Sequence, residues 1–135
     1  MDDVLLVETR GAVRVLTLNR PTKLNALNAD LVHALTDALL AAQDDSAVSV
    51  LILAGAGRAF CAGADTSTPR PLTVETRPNL IRHGDRNIAL TKLLGRVDKP
   101  IIAAVHGYAL GRAADWHSAA TWWSRRKVPA SAIRN

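Results

Sequence analysis

The chain has 135 residues, of which 48% are hydrophobic and 21% charged, a composition typical of one soluble globular domain. No apolar run approaches the roughly 20 residues that a membrane helix needs, which argues against a membrane protein. The acidic N-terminus is unlike the basic start of a signal peptide, and the single Cys61 excludes an internal disulfide. Together these features predict a cytoplasmic protein.

The net charge of +5 is concentrated at the C-terminal end. Residues 1–111 carry 12 Lys/Arg against 11 Asp/Glu, whereas residues 112–135 carry five Lys/Arg, one Asp and all three tryptophans. We therefore interpret residues 1–111 as a domain and residues 112–135 as an aberrant basic tail, and we expect no nucleic-acid partner. Binding of a nucleic acid by the tail is the weaker alternative, and it would require salt-sensitive affinity.

The first elements in chain order are a predicted hairpin and a predicted helix. Val4–Glu8 and Val13–Leu18 are aliphatic, β-branched runs on either side of Gly11, a pattern typical of a β-hairpin. Asn28 is a suitable N-cap for a helix over Ala29–Gln43, whose apolar residues recur at helical spacing. The alternation of strands and helix indicates the start of an α/β fold.

Two units of strand, glycine-rich loop and helix follow. Val48–Leu53 is almost entirely apolar and β-branched, which predicts a strand buried on both faces, and Ile101–Val105 predicts a second such strand. A mobile surface loop is expected over residues 66–78, then a helix over Asn79–Arg96, and a further helix after the second loop. This repetition predicts an α/β fold with parallel strand pairing.

The two glycine-rich loops read AGAGRAFCAGAD at 54–65 and HGYALG at 106–111. In parallel α/β folds ligands bind beyond the carboxyl ends of strands, so both loops can face one crevice. Backbone N–H groups from two such loops can form an oxyanion hole, which stabilises negative charge on a reacting carbonyl oxygen. Neither loop has the spacing of a dinucleotide fingerprint or a P-loop. Two ordinary tight turns are the alternative.

Three segments carry a family resemblance: LNRPTKLNALNADL (18–31), GAGRAFCAGAD (55–65) and KPIIAAVHGYALG (99–111). In sequence, order and spacing they resemble the crotonase superfamily, the enoyl-CoA hydratase/isomerase family, from about Val4 to Gly111. The resemblance implies that this chain forms an incomplete crotonase-like ββα spiral. It also implies the trimeric or hexameric assembly that family members form. It also implies an acyl-CoA or enoyl-CoA substrate, with coenzyme A as part of the substrate and no metal or other cofactor.

The resemblance also implies the site residues. The N–H groups of Ala64 and Arg112 would form the oxyanion hole, although the family has glycine where this chain has Arg112. Asp115 stands at the position of the first catalytic glutamate of the hydratases, whereas the F-G-x-P-E-like run that holds the second has no counterpart. The residues implied to contact coenzyme A or the substrate are Lys23, Leu24, Ala26, Ala62, Gly63, Ala64, Asp65, Tyr108 and Gly111.

Two functions stay open at this point. One is an enoyl-CoA hydratase or isomerase acting on acyl-CoA thioesters, with Asp115 as the substitute carboxylate. The other is a non-catalytic truncated remnant with at most weak CoA binding, which the missing second glutamate and Arg112 favour. The motifs do not distinguish hydration from isomerisation.

Three other side chains have a structural and a chemical interpretation. Cys61 could be a nucleophile, but no partner base is evident and a small packed thiol is the favoured interpretation. His106 could act as an acid or base, and a hydrogen-bonded side chain at a strand end is favoured. Lys23 could pair with a CoA phosphate or remain solvated, with neither preferred. The histidines show no metal-ligand spacing.

The family pattern stops abruptly after Gly111. A shifted reading frame can be tested on the tail by forming each codon from the third base of one residue's codon and the first two bases of the next residue's codon. For three pairs of neighbouring residues in the tail, the genetic code allows only one amino acid in the shifted frame. Asp115/Trp116 must encode Leu, Trp116/His117 must encode Ala, and Trp122/Trp123 must encode Val. With the amino acids that the other pairs permit, the shifted frame can read LALxCDLVVAAExARFGNPE, which resembles the missing continuation of the family sequence. Between the codon of Gly111 and the first shifted Leu codon, the gene is one nucleotide shorter than in the family. We interpret the tail as out of frame, with a divergent C-terminus as the alternative.

An incomplete spiral would leave apolar strand faces without their usual cover. We therefore expect marginal stability or aggregation of the chain as written.

Overall fold

The computed structural model describes residues 3–67, 72–119 and 122–125. Its strands are β1 Leu5–Arg10, β2 Val13–Leu18, β3 Val50–Gly55, β4 Ile101–Val105 and β5 Trp122–Arg125. Its helices are α1 Ala29–Asp44, α2 Arg77–Leu94 and α3 Arg112–Ala119. The strands form one sheet in chain order, antiparallel between β1 and β2 and parallel from β2 onward. This topology confirms the predicted α/β fold with a hairpin and parallel pairing.

The strand register places leucines on one face of the sheet. Leu16 of β2 pairs with Leu53 of β3, and Leu51 of β3 pairs with Ile101 of β4. Residues that pair across a ladder share a face, so these side chains form a continuous apolar layer. All four are buried, and they belong to the same core cluster as the inward residues of the helices.

Helix α1 covers this layer. The Asn28 side chain accepts a hydrogen bond from the Leu31 N–H at 3.0 Å, which caps the helix as predicted. Leu31, Leu35 and Leu39 lie on one stripe and are almost completely buried against the sheet. The hydrophobic stripe predicted from the sequence therefore forms the helix side of the core.

The prediction that β3 and β4 are buried on both faces was wrong for one face of each strand, since Ile102 and Ala104 of β4 are only half-buried. Leu51 and Leu53 are buried, whereas Val50 and Ile52 on the opposite face are only half-buried. The described helices contribute to a core cluster on the leucine face alone. The opposite face keeps its apolar side chains but lacks an equivalent layer among the described residues.

The second half of the chain differs from the sequence predictions at its ends. Helix α2 begins two residues earlier and ends two residues earlier than predicted, and it runs through Gly84 without a break. The helix predicted after the second glycine loop is α3, but β5 was not predicted. Its main chain pairs in parallel with β4, Trp122 opposite Ile102. Part of the predicted surface loop, residues 68–71, lies outside the described residues.

Among the helices described, none is long and apolar enough to cross a membrane.

Candidate functional site

The two glycine-rich loops lie side by side beyond β3 and β4. The Cys61 N–H donates to the Tyr108 carbonyl at 2.9 Å, and the Leu110 N–H donates to the Cys61 carbonyl at 3.0 Å. These two bonds form a short parallel bridge between the loops. Because β3 and β4 are parallel neighbours, their loops emerge at the same edge of the sheet, as the sequence predicted.

The loops also approach each other closely at Gly63 and Gly111. Gly63 has a φ of +91° and Gly111 a φ of +57°, conformations that glycine adopts without steric cost. A Cβ atom on Gly63 would lie 2.8 Å from the Leu110 carbonyl oxygen and 3.6 Å from the Gly111 Cα. A side chain at Gly63 would therefore push the loops apart, so glycine is required there for both conformation and space.

Each of these glycines precedes a residue predicted to donate its N–H group to the oxyanion hole. The main chain of Leu27 bonds to the Gly63 carbonyl and the Asp65 N–H, so the Ala64 N–H faces away from Leu27. It has no acceptor in the part of the chain that the structure describes. Arg112 is the first residue of α3, a position whose N–H has no acceptor within the helix. Two such donors can stabilise charge on a carbonyl oxygen.

A buried asparagine connects the KLNAL segment to the first glycine loop. Asn25 is fully buried and has a φ of +55°, a conformation that asparagine tolerates better than most residues. Its side chain accepts from the Arg20 N–H and donates to the carbonyls of Ala56 and Ala59, each at 2.8 Å. Sequence reasoning missed this residue, although an asparagine following a proline-containing turn is a signal for positive φ.

An ion pair fixes the same segment from the other side. Arg20 and Asp65 approach to 2.9 Å, and the two side chains are only 16% and 11% exposed. The Ser67 hydroxyl and N–H both donate to Asp65, at 2.6 Å and 2.9 Å. These hydrogen bonds from Ser67, together with Arg20, lower the pKa of Asp65 to about 2. The carboxylate is thus occupied within the protein, and its predicted contact with coenzyme A stays a prediction.

The other residues predicted to contact coenzyme A lie on the KLNAL segment and on the two glycine loops. The Ala62 N–H donates to the Leu24 carbonyl at 2.9 Å, and the Ala26 N–H donates to the Lys23 carbonyl at 3.0 Å. The Lys23 side chain is exposed, and Tyr108 on the neighbouring loop is 56% exposed. The structure therefore brings both predicted segments together and leaves two side chains free to meet a ligand.

Asp115 lies one turn beyond the start of α3. It is exposed and three residues after Arg112, so the two Cα positions lie on the same side of the helix. The Asp115 carboxylate makes no hydrogen bond to any described residue. The side chain of Arg112 lies outside the described part of the structure. No group of three potential metal ligands occurs in residues 3–67, 72–119 and 122–125.

Cys61 and His106 have structural positions. Burial raises the pKa of the Cys61 thiol to about 11, so the reactive thiolate is scarce near neutral pH. The Cys61 sulfur accepts from the Gly63 N–H at 3.4 Å. The His106 Nε2 lies 2.7 Å from the Gly57 carbonyl oxygen. Both observations favour the structural interpretations given by the sequence.

Comparison with known proteins places the chain in one family. Residues 13–114 match the family model described as enoyl-CoA hydratase/isomerase. A probable enoyl-CoA hydratase of Rhizobium meliloti is 44% identical over 81% of this chain and 40% of its own length. The crotonyl-CoA hydratase of Syntrophomonas wolfei is 38% identical over 79% of this chain and 40% of its own length.

Solved structures give the same result for the fold. An enoyl-CoA hydratase from Bacillus anthracis superposes with a TM-score of 0.82 at 26% identity, covering 90% of this chain and 47% of that one. An enoyl-CoA hydratase/isomerase from Xanthobacter autotrophicus gives 0.80 at 32% identity, covering 90% and 45%. The chain thus has the crotonase fold and spans less than half the length of these curated relatives and structures.

Proposed function

The chain belongs to the enoyl-CoA hydratase/isomerase family, and on this premise we propose that it binds acyl-CoA thioesters and promotes hydratase-type or isomerase-type chemistry on them. The observation that carries the proposal is the close approach of Gly63 and Gly111. The Ala64 N–H, which follows Gly63, has no acceptor among the described residues, and Arg112, which follows Gly111, begins α3. The predicted oxyanion hole needs such a pair of donors.

The thioester carbonyl oxygen accepts hydrogen bonds from the N–H groups of Ala64 and Arg112. When a nucleophile adds to the conjugated double bond, or when a proton leaves the α-carbon, negative charge moves to this oxygen as an enolate. Each preorganised donor lowers the barrier by about 3 kcal/mol. The Arg112 N–H also lies at the positive end of α3, which favours the developing charge.

Asp115 supplies the acid–base group. Its carboxylate takes a proton from the attacking water and returns it to the α-carbon, so that water is added across the double bond with no net change in the carboxyl group. One carboxylate then performs the work that two glutamates share in the family hydratases. We therefore expect slower turnover than in those enzymes.

The remainder of the substrate lies along the rim formed by Leu24, Ala26 and Ala62. Lys23 pairs with a phosphate of coenzyme A, since its exposed ammonium group is free to reach one. We also propose a cytoplasmic location and the trimeric or hexameric assembly of the family. The half-buried apolar face of the sheet supports association, because such faces favour contact with further protein.

The proposal is tested by turnover of crotonyl-CoA, monitored as the loss of enoyl-thioester absorbance. Binding of butyryl-CoA is measured by calorimetry on the same protein. Binding with slow hydration that Asp115→Asn abolishes supports the enzyme. The matched control is Asp37→Asn, an exposed aspartate on α1 that should leave both readings unchanged.

Binding without turnover would identify the second candidate, a non-catalytic remnant that retains CoA binding. Arg112 in place of the family's glycine and the single carboxylate on α3 favour that candidate. Failure to bind either thioester would contradict both.

A further inference from the structure

A groove outside the paired glycine loops separates the start of α1 from the first half of α2. Its volume is about 420 Å³. The residues that line it are Ala29, Thr76, Asn79, Leu80, Arg82, His83 and Arg86. Two of these are arginines and none is acidic, so the lining carries a net positive charge.

Among the described residues, the two arginines of the groove form no ion pair, although Asp85 lies between them in the sequence of α2. Arg82 and Arg86 are exposed and lie one helical turn apart on α2, where like charges repel each other. In the part of the chain described by the structure, no carboxylate pairs with either guanidinium group. The Nε of Arg82 makes only a 3.4 Å contact with the Pro78 carbonyl oxygen. The two guanidinium groups are therefore available to an anion from outside.

The start of α1 adds the positive end of a helix dipole, whose first turn also carries the exposed carboxylate of Asp30. Ala29 is the first residue of this helix and lines the groove. The Asn28 cap satisfies the Leu31 N–H, while the Ala29 N–H has no acceptor among the described residues. A helix N-terminus favours negative charge, and here it faces two arginines. The groove thus suits a small anion such as a carboxylate, which arginine binds in a bidentate fashion.

The groove lies close to the proposed thioester site. Ala29 is two residues after Leu27, and Leu27 pairs with Ala64. Two residues span at most about 7 Å and paired strands lie about 5 Å apart, so Ala29 is within about 12 Å of Ala64. The phosphates of coenzyme A are separated from the thioester by the long pantetheine arm. The end of a short acyl chain is the part of the substrate that this distance fits.

We propose that the groove binds a carboxylate at the far end of the acyl chain, so that the preferred ligands are CoA thioesters of dicarboxylic acids. The proposal rests on the proposed function, since the thioester has to be held at Ala64 and Arg112. Arg82 and Arg86 bind the carboxylate, and the positive end of α1 stabilises its charge. The preference therefore depends on residues outside the oxyanion hole.

Calorimetry with adipoyl-CoA and hexanoyl-CoA tests this selectivity, because the two thioesters differ only in the terminal carboxylate. The wild-type chain should bind adipoyl-CoA about tenfold more tightly, the value expected for a charge-assisted hydrogen bond. The double variant Arg82→Gln/Arg86→Gln should lose this preference and bind hexanoyl-CoA as before. Arg96→Gln, which removes an exposed arginine after α2 and outside the groove, is the matched control.

Equal affinity for the two thioesters in the wild type would overturn the proposal. An equal loss for both thioesters in the double variant would also overturn it, and would assign the groove to a phosphate of coenzyme A. Circular dichroism spectra of each variant show whether the fold is retained.

Titration with free adipate separates this proposal from the proposed function. The Nε–Hε resonances of Arg82 and Arg86 should shift with adipate and not with the neutral adipamide. If these shifts occur while no CoA thioester binds, the groove is supported as an anion site and the proposed function fails. If adipate produces no shift at either arginine, the groove proposal fails, whatever the thioesters do.

Discussion

Two buried side chains, Asn25 before Gly111 and Trp116 after it, differ in how their polar atoms are hydrogen-bonded. The Asn25 side chain accepts one hydrogen bond at its Oδ1 and donates two from its Nδ2. Trp116 is 1% exposed and packs edge-on against Phe60 at 6.3 Å, but its Nε1 has no partner among the described residues. An unpaired buried donor costs about 1–3 kcal/mol. The main chain of α3 fits the fold, whereas its largest side chain is poorly matched to its surroundings.

The residues of strand β5 can be compared with those that the shifted reading frame permits. The written residues of β5 are Trp122 to Arg125. At these junctions the shifted codons permit Leu, Val, Val and Ala, a strand composition far more typical of a buried parallel sheet. The frame interpretation stays a prediction.

The largest expected effect is on the identity of the tail. Resequencing the gene from the codon of Gly111 onward should show either one additional nucleotide before the codon of Asp115 or an out-of-frame F-G-x-P-E run downstream. The first result would replace every residue from Arg112 to Asn135, and the second would identify a truncated gene. If neither frame continues the family pattern, the interpretation is wrong.

Asn25→Ala should cause the largest loss of stability in the first part of the chain. It leaves the Arg20 N–H and the carbonyls of Ala56 and Ala59 without partners, and it puts alanine at a φ of +55°. The expected loss in the free energy of unfolding is about 4 kcal/mol, measured by urea denaturation. Asn19→Ala, at an exposed hydrogen bond to Asp3, should cost less than about 1 kcal/mol. Similar losses for both would contradict the account.

Gly63→Ala should separate the glycine loops. The added Cβ would meet the Leu110 carbonyl oxygen at 2.8 Å and would also impose alanine on a φ of +91°. We expect a loss of about 3 kcal/mol in unfolding free energy and loss of butyryl-CoA binding. Gly11→Ala is the matched control, since Gly11 has a φ of +60° and open space around it. That variant should lose only about 1 kcal/mol and keep its binding, and equal effects would argue against the loop contact.

Asp65 should make stability depend on pH in acid. Its pKa is lowered to about 2 from an unfolded value of 3.8, so its contribution is complete above pH 4 and disappears as the pH falls toward 2. The contribution is about 1–2 kcal/mol. Asp65→Asn should be less stable than the wild type at pH 6 by this amount, and the difference should vanish near pH 2. A difference that does not change between these pH values would contradict the ion pair and Ser67 contacts.

Trp116→Phe should have the smallest effect. It keeps a ring against Phe60 and removes the unpaired buried N–H, so the free energy of unfolding should stay within about 1 kcal/mol of the wild type or rise. Trp116→Ala, which also removes the ring, should cost about 3–5 kcal/mol. A loss above about 2 kcal/mol for the phenylalanine variant would mean that the indole N–H has a partner in the folded protein.

The predictable parts of the fold depend on local patterns. The leucine stripe of α1, the Asn28 cap and the β-branched strands follow from periodicity and from capping chemistry, and the structure confirms them. The glycine loops were predictable as neighbours because parallel strands end at one edge. The outer face of β3 was not, because burial of a strand depends on what packs against each face.

The roles of particular polar side chains could not be predicted from local patterns. Arg20 and Asp65 are 45 positions apart in the sequence and meet only because Leu27 pairs with the AGAD segment. The amide of Asn25 binds carbonyls more than 30 residues away along the chain. Such contacts depend on the tertiary arrangement of two loops, which neither propensity nor spacing contains.

In the proposed site, the N–H groups of Ala64 and Arg112 hold a thioester carbonyl. Calorimetry with butyryl-CoA and its thioether analogue S-butyl-CoA tests it directly, because the analogue lacks only the carbonyl oxygen. Two neutral hydrogen bonds predict about tenfold tighter binding of the thioester. Equal affinity for the two ligands, or no binding of either, would contradict the claim.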